Sequence, residues 1–153
     1  MCIRDRLWFL FEDYQNTIDI LNKIIKIRKT NNQQDLQYSL RILKIICLYE
    51  LKEESQLESE IRSVSRYFQV HTKLEKENYE SQACRFLKRI SEADSYQKKQ
   101  LLQEFNQSLQ KLSIDPTETN SLVFEEVLLW VKSKIQQQPI ISVYKNKRIS
   151  PDS

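Results

Sequence analysis

Read for the spacing of its apolar positions, the chain is a succession of helices. The most apolar stretch covers positions 35–51, DLQYSLRILKIICLYEL. At about 100° per residue, Leu36, Leu40, Leu43 and Cys47 fall on one stripe, and Ile42, Ile45 and Tyr49 on another. A helix apolar on two stripes is covered on two sides, so this one is expected to be the central layer, with neighbours before and after it. The run is too long for a buried strand, and its Leu, Lys, Arg and Gln content favours helix.

The same periodicity recurs on either side. Leu7 to Phe11, LWFLF, reads as the last turns of a helix, closed by Glu12-Asp13. Asp13 is placed to cap a helix over 14–28, with Tyr14, Ile18, Leu21 and Ile25 on its inner face. Asn32 is a candidate cap for the central helix. Ser55-x-x-Glu58 predicts a capping box opening a helix over 55–70, with Leu57, Ile61, Val64 and Phe68 inward. Thr72-x-x-Glu75 predicts another box, opening a helix to about 90 with Tyr79, Ala83, Phe86, Leu87 and Ile90 inward. A weak break at 91–95 precedes a helix over 96–112, with Leu101, Leu102, Phe105, Leu109 and Leu112. Asp115-Pro116-x-Glu118 predicts the start of a last helix reaching 137, with Val123, Phe124, Val127, Leu128, Trp130, Val131 and Ile135 buried. Residues 139–153 have no helical period and are expected as a flexible basic tail carrying Lys145, Lys147 and Arg148, with Ile140 to Tyr144 free to pack as an extended piece.

Composition sharpens this picture by exclusion. The 153 residues include no glycine. Phosphate-cradling loops, dinucleotide turns, nucleophile elbows and two-residue hairpins all depend on glycine, whereas helices can be closed without it. A net charge of +3 is too small to imply a nucleic-acid or membrane partner. Cys2, Cys47 and Cys84 form no metal or disulfide pattern, and Cys47 and Cys84 fall on apolar helix faces, as reduced core residues would. No run is long enough to span a bilayer and no secretory leader is legible, so the expected compartment is the cytoplasm. Residues 1–6, MCIRDR, resemble translated sequencing-adapter read-through and are expected to be a non-native leader, the native chain then extending further upstream. On that reading the Trp8, Phe9, Leu10 and Phe11 end is partly bare and prone to self-association.

Helix starts near 33, 73 and 116 give a pair-to-pair period of roughly forty residues, the spacing of a helical solenoid. The segment FLFEDYQNTIDILNKI resembles the turn and second helix of a degenerate tetratricopeptide repeat. Tyr14 stands at the repeat's aromatic position, and Thr17 and Ile24 stand where the repeat has small alanines. Further on, Asp35-Leu36, Arg41-Ile42-Leu43, Tyr49-Glu50-Leu51 and Arg62-Ser63-x-x-Arg66-x-Phe68 resemble the C-terminal helices of long bacterial proteins carrying such repeats upstream. The resemblance implies an all-α fold of antiparallel helix pairs stacked as a short α-solenoid over 7–138, and by analogy a protein-interaction scaffold. An irregular helical bundle is the alternative architecture.

Candidate chemistry is sparse. His71, the single histidine, falls at a helix end, where it can satisfy final carbonyls. One histidine and isolated cysteines cannot assemble a four-ligand zinc site, so no metal, cofactor or enzymatic role is expected. Arg62 and Arg66 share a helix face, and with Arg41 they are candidates to line a groove and hold a partner's carboxylates or phosphate. The competing reading has them pair internally with Asp35, Glu50 or Glu58. Arg85, Lys88 and Arg89 form a second basic line that, with Tyr67, Phe68 and Tyr79, would serve an RNA-binding or regulatory module. The expected function is a protein or peptide partner held between helices, with nucleic acid as the lesser alternative.

Overall fold

The structure, a computed structural model, describes residues 3–30, 34–71, 79–113 and 123–149. Among them every regular element is a helix: α1 (Ile3–Leu10), α2 (Tyr14–Thr30), α3 (Gln34–Glu50), α4 (Glu54–His71), α5 (Tyr79–Glu92), α6 (Ser95–Leu112), α7 (Phe124–Gln136) and α8 (Ile140–Ile149). None is long and apolar enough to cross a membrane.

The helix with two apolar stripes is the centre of the molecule. On α3, Leu40, Ile42, Leu43, Ile45, Ile46 and Cys47 are wholly buried, because α2, α4 and α5 all pack against it. Each such side chain contributes about 1.5–3 kcal/mol on removal from water, so α3 carries much of the core energy. The stripes of its neighbours turn inward to meet it: Ile18, Leu21 and Ile25 from α2, Leu57, Ile61, Val64 and Phe68 from α4, and Tyr79, Ala83, Leu87 and Ile90 from α5. Beyond them α6 packs on α5, α7 on α6 and α8 on α7.

The chain also folds back on its beginning. The α8 helix touches α1, and Arg6 of α1 lies 3.0 Å from Glu126 of α7. The C-terminal end of α3 meets α7 across eighty positions, where Trp130 Nε1 donates to Glu50 Oε1 at 2.8 Å. Lys134 pairs with the same carboxylate, and Tyr49 meets the indole edge-on with ring centres 6.0 Å apart.

Several boundaries differ from those read in the sequence. Residues 139–149 are not a flexible tail: after Pro139 the chain forms α8, which buries Ile140 and Val143 against α7. Residues 3–6 are not set apart from the fold but belong to α1. Ser55 does not cap α4. The helix begins one residue earlier, with Leu57 N donating to Glu53 O, and Ser55 lies exposed in its first turn. The last long helix does not run unbroken from 116, since Val123 adopts φ 64° and α7 opens only at Phe124. The proposed caps at Asn32, Thr72 and Asp115 fall outside the described residues, as does the side chain of His71. Asp13 does cap α2, its Oδ1 accepting from Asn16 N at 3.2 Å. The break at 91–95 is sharper than its sequence implies. Asp94 accepts from Gln97 N at 2.8 Å while the Gln97 side chain reaches back to Asp94 N, a complete capping box.

Without glycine, the left-handed residues that close helices must be other amino acids. Glu12, Lys52 and Gln137 take φ of 61°, 60° and 54° after α1, α3 and α7. After α3 the closure is a Schellman motif, with Glu53 N on Leu48 O at 3.1 Å and Lys52 N on Tyr49 O at 3.2 Å. A side chain in this region costs about 1–2 kcal/mol that glycine avoids. Lys52 is exposed, so Lys52→Gly is expected to stabilise the fold by about 1 kcal/mol, read as a rise in urea midpoint with unchanged slope.

Candidate functional site

The α4 helix is amphipathic in two senses. Its inner face is the Leu57, Ile61, Val64, Phe68 stripe, and across its outer surface run Glu54, Glu58, Arg62 and Arg66, each four residues from the last. All four of these charged residues are exposed. They edge an open groove of about 730 Å³ between α4 and α5, floored by Leu57 and Ile61, with Lys88 and Glu92 on the opposite wall. A smaller depression of about 440 Å³ lies on the other flank of α4, where Arg62 and Arg66 stand beside Tyr38, Ser63, Tyr67 and the exposed Val70.

The candidate residues are thus partly brought together. Arg62 and Arg66 line both concavities, and Arg62 is also held by Glu58 at 3.2 Å. Arg41 does not join them. Its Nη1 donates to Ser63 Oγ at 3.2 Å and lies 3.7 Å from Glu60, while its guanidinium covers the Tyr38 ring at 5.0 Å. Lys44 takes the other Glu60 oxygen at 2.9 Å, so this cluster joins α3 to α4. Of the expected internal partners, Glu58 does hold Arg62, Glu50 is engaged instead by Trp130 and Lys134, and the side chain of Asp35 lies outside the described residues.

The second basic line divides. Lys88 faces the α4/α5 groove, Arg89 borders a separate depression between α5 and α6, and Arg85 is exposed on α5. The aromatics expected to accompany them are occupied within the protein. Tyr67 stacks on Tyr38 with ring centres 3.7 Å apart and planes 8° from parallel, and Tyr79 and Phe68 are buried. A base could stack only by displacing these contacts.

The two described thiols are poorly placed to act as nucleophiles. Burial pushes the Cys47 thiol well above its usual range, with Glu50 adding to the effect. Burial likewise raises Cys84, partly offset by the Ser65 hydroxyl at 3.3 Å and by Lys88. Both environments disfavour the thiolate. Among the described residues no group of His, Cys, Asp and Glu is arranged to hold a metal ion. At the N-terminal end, Phe9 and Leu10 are buried by the fold, while Leu7, Trp8 and Phe11 remain 43%, 39% and 64% exposed.

What the sequence reading missed in this site is the acidic half. From sequence Glu58 reads as a capping-box and pairing residue, and neither Glu54 nor Glu92 is singled out. The regular spacing of four was visible, but which face it occupied was fixed only by the packing of α4. No family model, curated protein or solved structure matches this chain.

Proposed function

We propose that this chain is a protein-binding helical module whose α4/α5 groove takes a peptide segment or helix of a partner protein, with no catalytic step or cofactor of its own. The observation that carries the reading is the composition of the groove. It combines an apolar floor, Leu57 and Ile61, with three acidic residues, Glu54, Glu58 and Glu92, and three basic ones, Arg62, Arg66 and Lys88. A wall of both signs cancels at a distance and does not concentrate a polyanion, as a nucleic-acid surface must. It does discriminate among peptides by where their own charges fall. The RNA-binding alternative retains only the exposed basic residues of α5.

We also infer that the helices form an irregular bundle, the alternative to an open solenoid. In a solenoid each repeat touches only its neighbours. The contacts of α8 with α1 and of Trp130 with Glu50 support closure instead.

The test is selection from a displayed peptide library on the immobilised protein. Amphipathic sequences carrying charges of both signs should be enriched, and Arg66→Glu with Lys88→Glu should weaken their binding by about tenfold or more without altering the melting temperature. Binding of single-stranded RNA that falls steeply with salt and disappears with Arg85→Glu, Lys88→Glu and Arg89→Glu, in the absence of any enriched peptide, would establish the RNA reading in its place.

A further inference from the structure

The outer stripe of α4 has a symmetry that the monomer does not use. Along one ridge the order is Glu54, Glu58, Arg62, Arg66: two acids, then two bases. Like charges therefore stand four apart twice, an arrangement that disfavours an isolated helix, whereas alternating signs would favour it. The helix dipole accounts for Glu54 in the first turn, but its effect fades before Glu58 and Arg62. Within the monomer Glu58 and Arg62 pair with each other, and neither Glu54 nor Arg66 has a hydrogen-bond or ion-pair partner among the described residues.

Turned end for end, this stripe becomes its own complement. We propose that the partner docking on α4 is a second copy of this chain, related by a two-fold axis that meets the outer face of α4 between Glu58 and Arg62. Glu54 of each copy then faces Arg66 of the other, and Glu58 faces Arg62. The ridge follows positions four apart, and two such ridges lie alongside each other when their helices cross at about −50°, the commonest class of helix packing. An isologous contact of this kind gives every residue of the stripe a partner and makes each ion pair twice. The serines beside it, Ser55 and Ser59, are exposed and small enough to let the two helices approach.

The proposal rests on the reading of α4 as a docking surface and names its occupant. One exposed helix face falls short of the roughly 800 Å² per partner of a standard interface, and its ion pairs are solvated, so the dimer is weak and salt-sensitive.

The experiment is sedimentation equilibrium of the full chain across a concentration series, in about 50 mM and about 500 mM salt, the latter bringing the screening length well below 10 Å. Wild type should dimerise at low salt and weaken by about tenfold at high salt. Arg66→Glu sets like charges against each other at both ends of the contact and should abolish the dimer. Glu54→Arg combined with Arg66→Glu restores opposite charges across the axis and should recover dimerisation to within about threefold of wild type. Circular dichroism on the same samples confirms that each variant keeps its helices.

A chain that stays monomeric at low salt overturns the proposal. So does association that persists in Arg66→Glu or is insensitive to salt, which would locate self-contact at the apolar Leu7, Trp8 and Phe11 patch. So does a failure of the reciprocal exchange to recover what the single change lost. If library selection yields peptides that depend on Arg66 while the chain remains monomeric, the groove binds another protein, and only the self-association falls.

Discussion

Replacing Trp130 with alanine is expected to destabilise the fold by about 3–5 kcal/mol. Trp130 is wholly buried on α7 and is the largest side chain in the core. Its removal vacates the space beside Tyr49 and deletes the 2.8 Å hydrogen bond that ties α7 to Glu50 at the end of α3. A domain of this size has about 5–15 kcal/mol in all, so a large share of the stability goes with one residue. Urea unfolding followed by circular dichroism gives the value. Trp130→Phe separates the two contributions: it keeps most of the apolar contact but loses the donor, and should cost about 1–2 kcal/mol. A Trp130→Ala loss below about 1 kcal/mol would mean that the contact between α3 and α7 is not a structural joint.

The second large effect is a gain. Replacing Glu126 with leucine is expected to stabilise the protein at neutral pH by about 1–4 kcal/mol. The Glu126 carboxylate is buried at 5% side-chain exposure, and the ion-pair partner it has among the described residues, Arg6, is 41% exposed. Arg6 Nε stands 3.0 Å from Glu126 Oε1, yet both that nitrogen and Glu126 Oε2 are buried without a hydrogen-bond partner. The desolvation of the carboxylate is therefore poorly compensated, whereas the guanidinium keeps access to water when its partner is removed.

Burial accordingly raises the pKa of Glu126, with Arg6 opposing the shift and Glu125 adding to it. A carboxyl whose pKa is higher folded than unfolded favours the native state at low pH. That contribution is complete below the ordinary carboxylate value and is lost as pH rises through the raised one. The stability gap between Glu126→Leu and wild type should therefore narrow as pH falls from neutrality to the ordinary carboxylate value. A gap that is constant, or that widens on acidification, contradicts the assignment.

The readable part of this fold was its local part. The burial of Leu40, Leu43 and Cys47 follows from a period of 3.6 residues that any window of the sequence displays, and so does that of Leu57, Ile61, Val64 and Phe68. Asp13 and Asp94 are caps for an equally local reason, although the Asp94-x-x-Gln97 box was visible and passed over. Ser55 shows the limit of such signals. The Schellman closure of α3 at Lys52 delivers Glu53, not Ser55, to the start of α4. The α8 helix was illegible because only Ile140 and Val143 of its ten residues are fully buried among the described side chains, too few to set up a period.

The candidate site divides in the same way. The side-by-side placement of Arg62 and Arg66 needed only a spacing of four. Arg41 was assigned to the same surface because nothing near it in sequence announces Glu60 and Ser63, which lie on the next helix. Lys88 joins Arg66 in one groove only through the packing of α5 on α4.

The sequence alone determined that the chain is helical and that the stretch ending at Glu50 lies at its centre, because helix formation and amphipathicity depend on residues three and four apart. Tertiary structure alone decided which carboxylate each arginine meets, that Val123 turns left-handed just ahead of α7, and that Trp130 closes the chain on Glu50 eighty positions earlier. Those outcomes are contacts between distant segments. Their energy exists only once the helices have packed, so no local pattern encodes them.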